Sequence, residues 1–131
     1  AVVAIGSGTL TGVQVLTPME DPIAIVPSPF GDTVLVVSGI GDALYVLDYD
    51  DQNTTTPFTL RGELTYTGAG PQLPAGAVMI RRGTLEGRVI IAENTAIRMV
   101  EFEGGGTVTD LGAYDLGSGL EAIAGVIGVQ P

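Results

Sequence analysis

The most concentrated group of potential ligand atoms in this sequence is an acid-rich stretch made of Asp48, Asp50, Asp51 and Asn53. Side-chain oxygens of this kind are the donors that Ca²⁺ prefers, although the stretch lacks the glycine and the bidentate glutamate of an EF-hand loop. A solvated strand end that discourages edge pairing is the alternative interpretation. We take Asp48, Asp50 and Asp51 as a candidate calcium site and expect no other cofactor.

The side-chain types that most often carry catalysis are missing from the chain. It has no His and no Cys, and its five basic residues are all arginines. These absences exclude Ser–His and Cys–His pairs, zinc–thiolate sites, Schiff bases and the P-loop lysine. Paired carboxylates could still act as acid and base across a cleft, but nothing in the sequence identifies a cleft. The composition therefore favours a non-catalytic protein, and we identify no catalytic residue.

The glycines near the start imitate a dinucleotide-binding fingerprint. Residues 2–12 read VVAIGSGTLTG, an apolar run followed by spaced glycines. That fingerprint requires a helix directly after the glycines, whose N-terminus receives the pyrophosphate. Here the following residues are β-branched and end at Pro18, so we predict a β-hairpin turn rather than a cofactor site.

Two further short motifs carry only conditional interpretations. Arg81 and Arg82 could bind an anion, but pairing with acids of a neighbouring structural unit is the simpler interpretation. Asn53, Thr54 and Thr55 satisfy the pattern for N-glycosylation, which matters only in a eukaryotic secretory context.

Charge narrows the partners and the location. Fifteen acids face five bases, for a net charge of −10. Nucleic-acid binding needs a basic surface that neutralises phosphates, so it is excluded, and anionic membrane surfaces are disfavoured. No apolar stretch approaches the ~20 residues of a membrane-spanning helix. An acidic, lysine-free surface suits an extracellular, periplasmic or cell-surface setting.

The periodicity of the sequence predicts an all-β protein. Short runs rich in Val, Ile, Leu, Thr and Tyr alternate with Gly, Pro, Asp and Asn, and helical spacing is absent. We predict strands at 2–5, 10–16, 23–26, 33–38, 44–49, 58–66, 77–81, 88–92, 96–102, 107–114 and 121–127.

An internal repeat groups these strands in fours. Thr9, Thr59 and Thr107 lie at spacings of 50 and 48 residues, and Tyr66 aligns with Tyr114. Likewise, the run 33–37 aligns with 88–92, and the run 44–50 aligns with 97–103. A unit of about 49 residues with four strands has the size of a β-propeller blade. A two-sheet sandwich is the alternative, but it does not require such a period.

One unit also carries a family resemblance. Residues 22–38 read PIAIVPSPFGDTVLVVS and residues 44–48 read LYVLD. This unit resembles a blade of the lactonase-like and YncE-like (YVTN-type) bacterial β-propellers, with its proline, apolar strands, central turn and Val-x-Val-Ile-Asp-type third strand. It departs from that pattern at Phe30, Gly31 and Asp32, and the second unit matches more loosely. The resemblance implies a fold alone, because such propellers include lactonases, dehydrogenase subunits, surface-layer proteins and interaction scaffolds.

Counting the units predicts a partial propeller of about 2.7 blades. Residues 1–21 would end one blade, 22–70 and 71–118 would form two full blades, and 119–131 would begin another. Because propellers close with four or more blades, we expect further blades of the same protein, or a second chain, to complete the ring. A protein or carbohydrate ligand is compatible with this fold.

The resulting interpretation is a non-catalytic scaffold or binding module of an exported or cell-surface bacterial protein. Two alternatives remain. The chain could be part of a lactonase-like enzyme whose active residues lie in other blades, or a calcium-stabilised, adhesin-like repeat protein.

Overall fold

The computed structural model describes residues 2–6, 9–16, 19–29, 31, 33–39, 43–65, 73–102 and 108–116. Every regular element in these residues is a β-strand, which confirms the all-β prediction. The strand predicted at 121–127 lies outside the described residues. The ten strands are β1 (Val2–Gly6), β2 (Thr9–Gln14), β3 (Pro22–Pro27), β4 (Thr33–Ser38), β5 (Ala43–Tyr49), β6 (Phe58–Thr65), β7 (Gly76–Met79), β8 (Arg88–Ala92), β9 (Ala96–Phe102) and β10 (Val108–Asp115).

The strands form three antiparallel sheets in which each strand pairs with its neighbour in sequence. β1 and β2 form a hairpin, β3–β6 form the first four-stranded sheet, and β7–β10 form the second. This order follows from the short turn-forming connections, which bring successive strands side by side. The hairpin also confirms that the glycine-rich start turns back as a β-hairpin, without the helix that a dinucleotide site needs.

The two four-stranded sheets pack face to face around the main core. Because side chains alternate between the faces of a strand, every second residue of β4 and β5 points towards the second sheet. The buried residues at this interface are Val26, Leu35, Val37, Leu44 and Val46 from the first sheet and Met79, Val89, Ile91, Val100 and Phe102 from the second. Full burial of one such side chain contributes about 1.5–3 kcal/mol, so this interface dominates the stability of the pair.

The first sheet is partly covered on its other face. Val36, Ala43, Tyr45 and Leu47 form a second buried cluster, against which Leu16 and Met19 pack from the segment that follows β2. Apolar residues on both faces explain why β4 is an almost uninterrupted apolar run, which is the pattern of a strand buried on both sides.

The first strands of the two sheets approach each other most closely. Among strands of different sheets in the described part of the chain, β3 and β7 share the most residue pairs with Cα atoms within 8 Å. Face-to-face sheets normally stand about 10 Å apart. The two sheets are therefore wedged together at their β3 and β7 edges.

The central strands of the two sheets pair in the same register. Thr33 lies opposite Asp48, and Arg88 lies opposite Glu101. The next four cross-strand pairs of the first sheet are Val34–Leu47, Leu35–Val46, Val36–Tyr45 and Val37–Leu44. Their counterparts in the second sheet, in the same order, are Val89–Val100, Ile90–Met99, Ile91–Arg98 and Ala92–Ile97.

The outer strands correct one detail of the sequence alignment. Thr59 lies opposite Asp48, and Thr109 lies opposite Glu101, so Thr59 corresponds to Thr109 and the alignment with Thr107 was wrong by two residues. The sequence alignment matched the glycine-rich residues that precede β10. The structural correspondence depends instead on how the residues of β10 pair with β9. Thr107 and Tyr66 themselves lie outside the described residues.

Candidate interaction surfaces

A groove of about 410 Å³ lies on the face of the first sheet that is turned away from the second sheet. Its walls include Val15, Leu16, Met19, Ile25, Val36 and Phe58. We call it the β3 groove. The lining residues are all apolar, so no charged or hydrogen-bonding side chain is present to orient a small polar ligand.

The walls of the β3 groove include two strongly exposed apolar side chains. Ile25 is 68% exposed and Val15 is 75% exposed, and both line the same groove. Single exposed apolar residues are common, but a contiguous apolar patch usually marks an interaction site. The groove is thus a surface suited to being covered.

Gln14 holds one side of this groove in place. Its side-chain amide donates to the backbone carbonyl of Phe58 at 2.7 Å and accepts from the backbone N–H of Phe58 at 3.0 Å. This pair of hydrogen bonds ties β2 to the first residue of β6. The β1–β2 hairpin is therefore attached to the first sheet, and the groove lies beside that attachment.

A second apolar surface lies on the opposite side of the two sheets. Residues of the second sheet that alternate with its core positions face outwards, and we call them the β8 face: Val78, Ile90, Ile97, Met99 and Tyr114. Tyr114 is 74% exposed, whereas Ile90 is half-buried. Arg88 and Glu101 form an ion pair at 3.5 Å, with both side chains on this side of the sheet. The β8 face is thus apolar at its centre and charged at one end.

The candidate calcium residues lie at and after the end of β5, where other groups engage their oxygens. Asp48 forms an ion pair with Arg61 at 2.7 Å. Asp50 accepts a hydrogen bond from the backbone N–H of Gln52, and Asp51 accepts one from the Gln52 side chain. In the part of the chain that the structure describes, no three acidic side chains are grouped to hold a metal ion. These existing partners favour the solvated strand end, and calcium binding at Asp48, Asp50 and Asp51 stays a hypothesis that metal removal tests.

A buried charge cluster, which the sequence analysis did not identify, lies at the inter-sheet side of β9. Arg98 contacts Glu93 and, at 2.6 Å, Asp110. The Glu93 side chain is fully buried and Arg98 is 5% exposed. Burial alone would lower the pKa of Arg98, but hydrogen bonds to Glu93 and Asp110 outweigh it and raise that pKa. Buried ions require such pairing, so each charge of the cluster stabilises the other in the folded chain.

The remaining notable side chains do not form a site with these surfaces. Arg81 and Arg82 are exposed after β7, and Arg82 interacts with other groups of the protein. Tyr45 lies on β5 opposite Glu63 of β6; burial, then the charges of Glu63 and Glu20, raises its pKa. The described residues contain no helix of the length and apolarity needed to cross a membrane.

Comparisons with known proteins give two structural neighbours. A functionally unknown protein from Desulfotomaculum acetoxidans matches with a TM-score of 0.64 and 20% identity, over 86% of this chain and 34% of that one. Hydrazine synthase from Kuenenia stuttgartiensis matches with a TM-score of 0.55 and 17% identity, over 90% of this chain and 29% of that one. At these identities the likeness concerns the fold alone. No protein-family model and no curated protein matches the chain. The chain thus spans about a third of the length of the solved structures that it resembles.

Proposed function

We propose that this chain is a sector of a larger β-propeller and acts as a non-catalytic scaffold or binding module. The observation that carries the proposal is the shared register of the two four-stranded sheets, together with apolar faces on both outer sides of the pair. In a propeller each blade is packed between two neighbours, so both faces of every blade must be apolar.

Because the two sheets share one register, the β3 groove and the β8 face each correspond to one side of the interface between the sheets. Leu35 and Val46 of the first sheet pack against the second sheet, and their counterparts Ile90 and Met99 lie on the β8 face. Conversely, Val36 lines the β3 groove, and its counterpart Ile91 packs against the first sheet. Each outer surface therefore repeats one half of an interface that the chain already forms. A further sheet of the same kind would fit on either side.

The wedge between the sheets favours a propeller over a sandwich. A sandwich keeps its two sheets about 10 Å apart along their length and needs no third layer. Here the sheets approach most closely at β3 and β7, and the first sheet is also packed by Leu16 and Met19 on its other side. Radial packing around a central axis accounts for both features. The chain's share of the two similar structures, about a third, is the size expected of a sector.

The exported or cell-surface location, in a bacterial protein, belongs to the same proposal. A net charge of −10 without lysine keeps an extracellular surface soluble and leaves protein or carbohydrate ligands as partners. The β3 groove offers no ionisable side chain for chemistry, which supports a scaffold rather than an enzyme.

Sedimentation velocity of the folded chain and an Ile25→Glu variant tests the proposal. Ile25 is 68% exposed, so a charge there has little effect on the folding of the isolated chain but blocks a sheet from covering the groove. We expect concentration-dependent association of the chain, loss of association in Ile25→Glu, and no change in the control Leu85→Glu, whose residue is also exposed but lies outside both surfaces. A cooperatively folded wild-type chain that stays monomeric at every concentration would contradict the proposal.

A further inference from the structure

The loop between β5 and β6 presents the asparagine of an Asn-x-Thr motif in an ordered, solvent-facing turn. The side chains of residues 50–52 and 54–56 are exposed, and Asn53 is half-buried among them. We propose that Asn53 is an acceptor site for an N-linked glycan. The proposal needs export through a compartment that contains an oligosaccharyltransferase, and it depends neither on the bacterial source nor on the propeller assembly of the proposed function.

The motif's own threonine contacts the asparagine in the folded loop. Thr55 donates to the Asn53 Oδ1 atom from its hydroxyl and from its backbone N–H, each at 3.1 Å, and Thr56 donates to the same oxygen from its backbone N–H at 2.9 Å. The pattern of asparagine followed two residues later by Ser or Thr requires that hydroxyl. In this loop the hydroxyl already touches the carboxamide that would be modified.

The nitrogen that would carry the glycan remains available for transfer. Asn53 Nδ2 donates a hydrogen bond to the Thr56 hydroxyl at 2.9 Å, on the exposed side of the loop. In the transfer, Nδ2 gives up a proton to a base of the transferase and bonds to C1 of the sugar of a lipid-pyrophosphate-linked oligosaccharide. The C1–O bond breaks, and the lipid pyrophosphate leaves with the bonding electrons. No oxidant or reductant is needed.

The position of the loop is compatible with both apolar surfaces being covered. The backbone N–H of Asp50 donates to the carbonyl of Pro57 at 2.8 Å, which closes the loop at its base. Residues 50–56 do not line the β3 groove and are not part of the β8 face. A bulky, hydrated glycan at Asn53 would therefore stand clear of both surfaces.

The chain contains its own control asparagine. Asn94 is exposed in the turn between β8 and β9, whereas Asn53 is half-buried, but Ala96 stands two residues after Asn94, so the required hydroxyl is missing. Asn94 is thus at least as accessible as Asn53 and lacks the motif.

The test is glycosylation of the folded full chain by a purified single-subunit oligosaccharyltransferase with a lipid-pyrophosphate-linked oligosaccharide, read by intact mass and peptide mapping. An unfolded peptide spanning residues 49–58 reports whether the enzyme accepts the local sequence. We expect one glycan on the folded chain at Asn53, retained in Thr55→Ser and Asn94→Gln and lost in Asn53→Gln and Thr55→Ala.

Two results would overturn the proposal. If the peptide is modified and the folded chain is not, the folded loop does not present Asn53 to the enzyme. If neither is modified while an unrelated acceptor peptide is, the local sequence is not an acceptor. Either result leaves the association experiment on the apolar surfaces unaffected, so the two proposals fail separately.

Discussion

At the scale of single residues, the most consequential contact is the one between Arg98 and its two acids. Arg98 occupies the position in β9 that Tyr45 occupies in β5, and Glu93, the residue after β8, corresponds in register to Ser38, the last residue of β4. The second sheet therefore holds a charged cluster where the first has uncharged polar groups. Removing one partner of a buried ion pair lowers the stability of the fold, because the other charge stays buried without a partner or water.

Replacing Arg98 with alanine tests this directly. We expect Arg98→Ala to lower the free energy of unfolding by about 3–5 kcal/mol, because Glu93 would be left buried without its cation. Urea unfolding followed by circular dichroism measures the change. The matched control is Arg61→Ala, which removes a cross-strand pair with Asp48 whose side chains are 42% and 36% exposed. Its expected cost is about 0.2–1 kcal/mol, and equal costs for the two variants would refute a structural role for the buried cluster.

The acid-rich stretch after β5 leads to a prediction about metal removal. Asp48 is paired with Arg61, and Asp50 and Asp51 accept hydrogen bonds from Gln52, so their oxygens already have partners. We expect the melting temperature to be the same with EDTA and with added Ca²⁺. A ligand that binds only the folded state raises the melting temperature, so a rise with Ca²⁺ that EDTA reverses would establish a calcium site there.

At the scale of elements, the outer strands β6 and β10 share an irregularity. Each shifts its register against the neighbouring strand, β6 opposite Val46 and Leu47 and β10 between Asp110 and Ala113. Such bulges twist an outer strand and hinder edge-to-edge pairing. In β10 the bulge contains Gly112, whose φ of 102° lies in the region that side chains disfavour.

Alanine at this glycine should be more costly than at its counterpart in β2. Gly112 and Gly12 are both exposed, and a Cβ at either position meets no atom within 4 Å, so backbone conformation alone distinguishes them. We expect Gly112→Ala to destabilise by about 1–2 kcal/mol. Gly12 has no positive φ, so Gly12→Ala should be neutral or stabilise by up to about 1 kcal/mol. Thermal unfolding of both variants measures the difference, and similar melting temperatures would contradict the conformation at Gly112.

Local sequence was sufficient to predict the strands, because turn-forming residues bound each of them. β4 and β9, for example, match their predicted limits, and the inner-strand alignment agrees with the pairing. The alignment of the outer strands failed because Thr107 was aligned with Thr9 by the glycines that precede each of them in the sequence. The better signal was the Thr-x-x-Gly motif, which begins at Thr9, Thr59 and Thr109 with a constant spacing of 50.

The surfaces and the buried cluster were beyond reach of the sequence. Ile25 looks like an ordinary strand residue, and only the packing of the sheets reveals that it lines an open groove. In the sequence Arg98 looks like a surface charge. Its partners Glu93 and Asp110 contact it only once the strands of the second sheet have paired. Such contacts depend on tertiary packing, which local patterns do not contain.

At the scale of the whole molecule, the two sheets form a wedge with one closed interface between them and one apolar surface on either side. The closed interface is held by residues such as Leu35 and Phe102, which are inaccessible to solvent. The β3 groove and the β8 face repeat its two halves but are open in the chain by itself. We expect further sheets to cover both surfaces in the assembled propeller.

Thiol labelling tests directly whether the β3 groove is covered. The chain has no cysteine, so a single one can be introduced at a chosen position. Ile25→Cys places a thiol in the β3 groove, and Leu85→Cys places one in the loop before β8, where the native residues are 68% and 39% exposed. If the groove is covered, the thiol at position 25 reacts with maleimide more slowly than the thiol at position 85 once the chain is concentrated enough to associate, and faster when it is dilute. If the thiol at position 25 reacts faster at every concentration, the groove is an open surface and the account is wrong.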